Sequence, residues 1–114
     1  VHVGTQMDHL EPFVAVAGHL RDLAETVAAQ TEHDIKILDL GGGLGIPFSP
    51  SDRFPTVAAL KKRLHDACVL DFKYEYWYEP GHALVGNAVG LIGCIIAKKT
   101  MRGRQWAIAD VGFD

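Results

Sequence analysis

The stretch Ile35-Lys36-Ile37-Leu38-Asp39-Leu40-Gly41-Gly42-Gly43-Leu44-Gly45 is a short β-branched and apolar run that empties abruptly into glycines. It reads as a buried strand followed by a loop of unusual backbone freedom. Upstream, Phe13, Val16, Ala17, Leu20, Leu23, Ala24, Val27 and Ala28 recur at spacings of three and four, which predicts a helix over about 10–29 with Asp8 as its cap. Downstream, 46–55 carries three prolines and two serines and reads as a loop. Thr56 then caps a second helix, over about 56–69, that turns Val57, Leu60, Leu64, Ala67 and Cys68 inward. Phe72 to Tyr78 is aromatic and strand-like and stops at Glu79-Pro80-Gly81-His82, while Val1-His2-Val3-Gly4 looks like the last half of a strand. The order is β-α-β-α-β.

Strands alternating with helices imply a parallel sheet with right-handed crossovers, either doubly wound or part of a (β/α)8 barrel. In both, a functional site lies at the carboxyl ends of the strands. After residue 83 the pattern changes. Leu91 to Lys99 and Gln105 to Val111 are strand-like runs joined by Thr100-Met101-Arg102-Gly103-Arg104, a hairpin signal, so a second, antiparallel element is expected from about Leu84. The chain starts inside an element and stops on a strand running into a turn, so an excerpt of a longer protein is expected. A partial barrel with open edges should aggregate or stay molten on its own.

Of the 114 residues 48% are hydrophobic, and the net charge is −3 with no block of Lys or Arg, which argues against a nucleic-acid surface. No apolar run is long enough for a membrane span. The expected partner is a small molecule. Cys68 and Cys94 form no Cys-x-x-Cys pair and read as core thiols of a reducing cytosol. The six histidines are scattered without a His-Glu-x-x-His spacing, so no metal site is expected.

Three strand ends carry the residues of interest: His2 with Thr5, the glycines 41–43, and Glu79 with Gly81 and His82. Parallel strands bring all three to one rim. The glycines can approach a ligand closely, and their successive N–H groups form a nest for phosphate, to which the Thr5 hydroxyl can add a donor. The competing reading is a tight turn that needs positive φ. The dinucleotide pattern G-x-G-x-x-G fails, because counting from Gly41 and Gly43 its last position is Ile46. Glu79 follows Tyr76, Trp77 and Tyr78 and precedes a proline, so its carboxylate should be partly buried and want a cation, either a protonated cofactor ring nitrogen or a local Arg or Lys. The His2 ring can stack on a flat cofactor or sit hydrogen-bonded in the core.

Taken in order, Val1-His2-Val3-Gly4-Thr5-Gln6, Leu38-Asp39-Leu40-Gly41-Gly42-Gly43-Leu44-Gly45-Ile46-Pro47, Glu79-Pro80-Gly81-His82 and Asp110-Val111-Gly112-Phe113 resemble the fold type III pyridoxal-phosphate-dependent decarboxylases, the diaminopimelate, ornithine and arginine decarboxylase family, and its diaminopimelate branch most. The resemblance implies that 1–83 are the carboxyl-terminal portion of a cofactor-binding (β/α)8 barrel and that 84–114 are the first strands of a β-rich domain. It implies pyridoxal 5'-phosphate as cofactor, an amino acid as substrate, and a cytoplasmic homodimer that binds neither nucleic acid nor membrane. His2 would stack on the pyridine ring and Thr5 would stand near the phosphate, where the family usually has serine. Glycines 41–43 would hold the phosphate through backbone N–H groups, and Glu79 would keep the pyridine nitrogen protonated, so that the ring serves as an electron sink. Gly81 and His82 complete the cofactor-binding set, with His2 and Glu79 as the catalytic pair. His82 stands where the family has arginine, and histidine cannot make a two-pronged guanidinium contact. Asp114 falls where the family tends to have asparagine. The lysine that holds the cofactor lies before residue 1 in the family, and a later cysteine and tyrosine lie after 114; Lys36, Lys61, Lys62, Lys73, Lys98 and Lys99 stand at no strand end. The alternative reading is a non-catalytic homologue kept as a binding or regulatory module. A third, an unrelated phosphate-binding α/β domain, requires the chain to be complete and to fold alone.

Overall fold

Phe13 and Ala17 are fully buried, one turn apart on the first helix, and the architecture is organised around the face they share. The computed structural model describes residues 1–112, so Phe113 and Asp114 lie outside the described residues. Its elements are α1 (Glu11–Gln30), β1 (Ile37–Asp39), α2 (Val57–Asp66), β2 (Glu75–Trp77), α3 (Gly81–Val85), β3 (Ile95–Met101) and β4 (Arg104–Ala109).

Helix α1 falls where its periodicity places it, and Ala24 joins Phe13 and Ala17 on the buried stripe, whereas Leu23 is exposed. Its start differs from expectation. Asp8 does not cap the helix; its carboxylate bonds the neighbouring His9 Nδ1 at 2.7 Å, and Leu10 is the N-cap, its N–H donating to Glu11 Oε2 at 3.2 Å. Pro12, in the first turn, is preset for helical φ and lacks the N–H that a cap would otherwise have to satisfy. Thr56 does cap α2, its Oγ1 accepting from Ala59 N–H at 3.1 Å, and Leu60 and Leu64 point inward.

Strands β1 and β2 are parallel, with Ile37 opposite Glu75, Leu38 opposite Tyr76 and Asp39 opposite Trp77. The ladder runs on past them, since Leu40 N–H donates to the Trp77 carbonyl at 3.0 Å and Glu79 N–H to the Gly41 carbonyl at 2.8 Å. Only one face of β1 is covered. Leu38 and Leu40 are buried while Ile37 is 43% exposed, because α1 packs on one side and no described element lies on the other. Phe13, Ala17, Leu40, Leu44, Leu60 and Leu64 form one cluster joining both helices to the strand end, and Ala24, Leu38 and Tyr74 a smaller one at its start. Burying a side chain the size of Phe13 is worth about 1.5–3 kcal/mol, so this face holds the unit together.

Residues 1–4 form no ladder strand, contrary to the sequence reading. They lie beside β1, the Val1 amino group 3.4 Å from the Asp39 carbonyl oxygen, but Gly4 (φ 149°) and Gln6 (φ 54°) twist the chain out of regular pairing. Phe72 sits in a turn and is 97% exposed, which shortens the expected third strand to Glu75–Trp77. Cys68 and Cys94 are both exposed rather than core thiols: the first takes a left-handed φ of 54° just beyond α2, and the second precedes a hairpin against which no other described element packs.

That hairpin, β3 with β4, is antiparallel and turns through Arg102 (φ 53°) and Gly103 (φ 72°), the signature of a two-residue type I′ turn. Among the described residues its strands touch only each other. The radius of gyration, 19.6 Å, exceeds the roughly 13 Å of a compact chain of this length for the same reason.

Candidate functional site

The ends of β1 and β2 and the irregular segment 1–4 meet at the glycine loop. A Cβ on Gly41 would collide with the Val1 carbonyl and stand 3.3 Å from the His2 Cα. One on Gly42 would collide with the Glu79 carbonyl and stand 3.8 Å from the Glu79 Cβ, and one on Gly43 would collide with the Gly4 carbonyl. The glycines are therefore required by close approach of neighbouring main chains, and Gly41 (φ 68°) and Gly43 (φ 110°) by left-handed backbone as well. The turn reading is met at Gly41 and Gly43, and the same backbone lets the His2 and Glu79 segments close in from either side.

The amides of this loop are almost all engaged. Leu40 N–H donates to the Trp77 carbonyl, and Gly41 N–H to Asp39 Oδ1 at 2.7 Å. Leu44 N–H donates to Tyr78 Oη at 3.3 Å, Gly45 N–H to the Met7 carbonyl at 3.0 Å, and Ile46 N–H to Gln6 Oε1 at 3.0 Å. The Met7 N–H returns a bond to the Gly43 carbonyl at 2.9 Å. Among the described residues only Gly42 and Gly43, of positions 40–46, have N–H groups without an acceptor. Buried amide donors are normally satisfied, and two adjacent free ones suit an anion with several acceptor oxygens.

The other sequence-derived residues flank this point. His2 and Thr5 are exposed, and neither side chain has a polar partner among the described residues. Glu79 is exposed rather than partly buried, because the chain turns into α3 and no described element lies over the strand end; its carboxylate meets no cation among the described residues. Gly81 N–H donates to the Glu79 carbonyl at 2.8 Å, and a Cβ on Gly81 would meet only open space, so crowding does not demand that glycine. His82 lies in the first turn of α3, exposed, its carbonyl accepting from Gly86 N–H at 2.8 Å. No group of three or more His, Cys, Asp or Glu side chains is arranged to hold a metal among the described residues. No helix of the described residues is long and apolar enough to cross a membrane. Residues 1–86 match the family model described as pyridoxal-dependent decarboxylase, pyridoxal binding domain.

The chain belongs to the pyridoxal-dependent decarboxylases. It is 33% identical over 113 residues to the diaminopimelate decarboxylase of Aquifex aeolicus, covering 99% of this chain and 26% of that protein. The crystal structure of diaminopimelate decarboxylase from Methanocaldococcus jannaschii superposes with a TM-score of 0.65 at 26% identity, covering 97% of this chain and 26% of the other. SrLDC, solved in complex with PLP and cadaverine, superposes with a TM-score of 0.64 at 26% identity, covering 96% of this chain and 28% of the other. The chain thus spans about a quarter of the length of the decarboxylases it matches.

Sequence reasoning passed over three side chains of this decarboxylase segment that shape the loop: Gln6, Asp39 and Tyr78. An aspartate two positions before a glycine is a recognisable turn signal. Gln6 and Tyr78 reach the loop across 40 and 34 residues of chain, and nothing local marks them.

Proposed function

We propose that the chain is the phosphate- and ring-binding segment of a pyridoxal-phosphate-dependent amino-acid decarboxylase of the diaminopimelate type. Residues 1–83 are the last part of its (β/α)8 barrel, and 84–114 are the first strands of a β-rich domain. The whole protein is a cytoplasmic homodimer acting on a diamino or basic amino acid. The observation that carries this reading is the N–H pair of Gly42 and Gly43, without an acceptor among the described residues and set between the His2 segment and the Glu79 strand end.

The residues fit the cofactor chemically. The Gly42 and Gly43 amides would supply donors for a phosphate, to which the Thr5 hydroxyl could add another. His2 would offer its ring to the pyridine, and the Glu79 carboxylate would keep the pyridine nitrogen protonated. Gly81 and His82 would complete the set, His82 toward the phosphate or the substrate carboxylate. Bound there, pyridoxal phosphate supplies an electron sink for the carbanion left when carbon dioxide departs.

Lys36 precedes β1, Lys61 and Lys62 are on α2, Lys73 lies over the Tyr74 ring, and Lys98 and Lys99 are on β3, so none stands at the glycine rim. The lysine that holds the cofactor therefore lies outside these 114 residues. Borohydride reduction of the full-length protein with pyridoxal phosphate, followed by peptide mapping, tests this. Label on a lysine outside 1–114 is expected; no label, or label on Lys36, overturns the enzyme reading. A second reading, a non-catalytic homologue serving as a binding module, is favoured by His82, whose imidazole cannot make the two-pronged contact of a guanidinium. A large activity gain on His82→Arg from an inert background would decide for it.

A further inference from the structure

The glycine loop is held from three directions by side chains. Gln6 grips Ile46 at both backbone groups, Oε1 accepting from the N–H at 3.0 Å and Nε2 donating to the carbonyl at 3.1 Å, and both contacts are partly buried. Gln6 itself takes φ 54°, a left-handed conformation uncommon outside glycine, to aim its amide there. Tyr78 Oη accepts from Leu44 N–H, and the Tyr78 ring is fixed edge-on against Phe13 at 6.1 Å between centroids. Asp39 ties down Gly41. These bonds use up the amides on both sides of Gly42 and Gly43 and leave those two without an acceptor among the described residues.

We propose that Gln6 and Tyr78 are positioning residues for the cofactor phosphate: anchored on the two strand ends that flank the loop, they lock its backbone so that the Gly42 and Gly43 N–H groups converge on one anion. The inference rests on the cofactor reading above. Neither side chain needs to touch the phosphate. Each acts through the main chain, Tyr78 at Leu44 and Gln6 at Ile46, while Asp39 occupies the Gly41 amide. Without them, residues 44–46 lose three backbone partners, and the two free amides lose their fixed direction.

The test uses the full-length protein freed of cofactor and titrated in parallel with pyridoxal phosphate and with pyridoxal, which has the same aldehyde and ring but no phosphate. The covalent link to lysine and the ring contacts enter both affinities, so their ratio isolates the phosphate. In Gln6→Met, which keeps side-chain length and removes both polar atoms, pyridoxal phosphate should bind about tenfold more weakly or worse while pyridoxal changes less than about twofold. Tyr78→Phe keeps the ring packing, removes only the acceptor for Leu44 N–H, and should shift the ratio in the same direction by less. Should Gln6→Met fail to fold, Tyr78→Phe decides alone. A ratio equal to that of the unaltered protein in the folded variants overturns the proposal. Equal affinity of the unaltered protein for both compounds overturns the cofactor reading itself, and this inference falls with it.

Discussion

Gly42 lies so close against the main-chain carbonyl of Glu79 that a Cβ at residue 42 would occupy the space of that carbonyl. The contact seats the Glu79 main chain against the glycine loop and leaves no tolerance for a side chain. Gly42→Ala must push the Glu79 segment away, and the expected cost is about 1–3 kcal/mol of stability, with looser cofactor binding. Urea unfolding of the full-length protein, followed by cofactor titration, checks both effects. An alanine variant of unchanged stability would show that the strand end can retreat freely.

Thr56 satisfies an otherwise orphaned amide at the start of α2, and the residue is exposed, so Thr56→Ala should cost about 1 kcal/mol and Thr56→Ser much less. The midpoint of denaturant unfolding reports the difference. Equal losses in the two variants would mean that the threonine methyl, rather than the hydroxyl, is what matters.

The turn between β3 and β4 puts Arg102 at φ 53° ahead of Gly103. Asparagine tolerates that conformation better than arginine, and Asn-Gly is the preferred type I′ pair, so Arg102→Asn should slow hydrogen exchange of the β3 and β4 amides by a few fold. Exchange as fast as in the unaltered protein would place the weak point of the hairpin elsewhere.

Burial pushes the Tyr78 phenol above its ordinary value of 10.0, opposed only in part by the Leu44 amide that donates to its oxygen. The folded state therefore keeps this proton at a pH where the unfolded chain gives it up. That contribution is complete below pH 10 and is lost as pH rises from there through the raised value. The stability of the unaltered protein should fall more steeply above pH 10 than that of Tyr78→Phe. Thermal melts of the two at pH 9 and at pH 11 make the comparison, and parallel losses would contradict it.

Phe72 is 97% exposed, Ile92 95%, Leu91 79% and Leu84 73%, and among the described residues β1 and β2 each leave one edge unpaired. Residues 1–114 expressed alone should self-associate and bind a hydrophobic dye strongly. A monomer that melts cooperatively without dye binding would show that these surfaces find cover within the chain.

Periodicity and punctuation in the sequence determined α1, α2, the parallel strand run into glycines and the terminal hairpin, because those signals are local: spacing of apolar residues, a threonine cap, a glycine after a strand. The same reading assembled the glycines and Glu79 at one rim, since parallel β1 and β2 end on the same side, whereas the His2 segment reaches it without pairing as a strand. What surrounds a residue is not local. The helix start moved from Asp8 to Leu10 because Pro12 and Glu11 settled it, and Cys68 and Cys94 proved exposed because burial depends on what packs opposite. Only the tertiary structure decided which amides of the loop remain free. That follows from Gln6 and Tyr78 arriving from distant parts of the chain to take the neighbouring ones, and a hydrogen bond across 34 or 40 residues leaves no trace in spacing or composition.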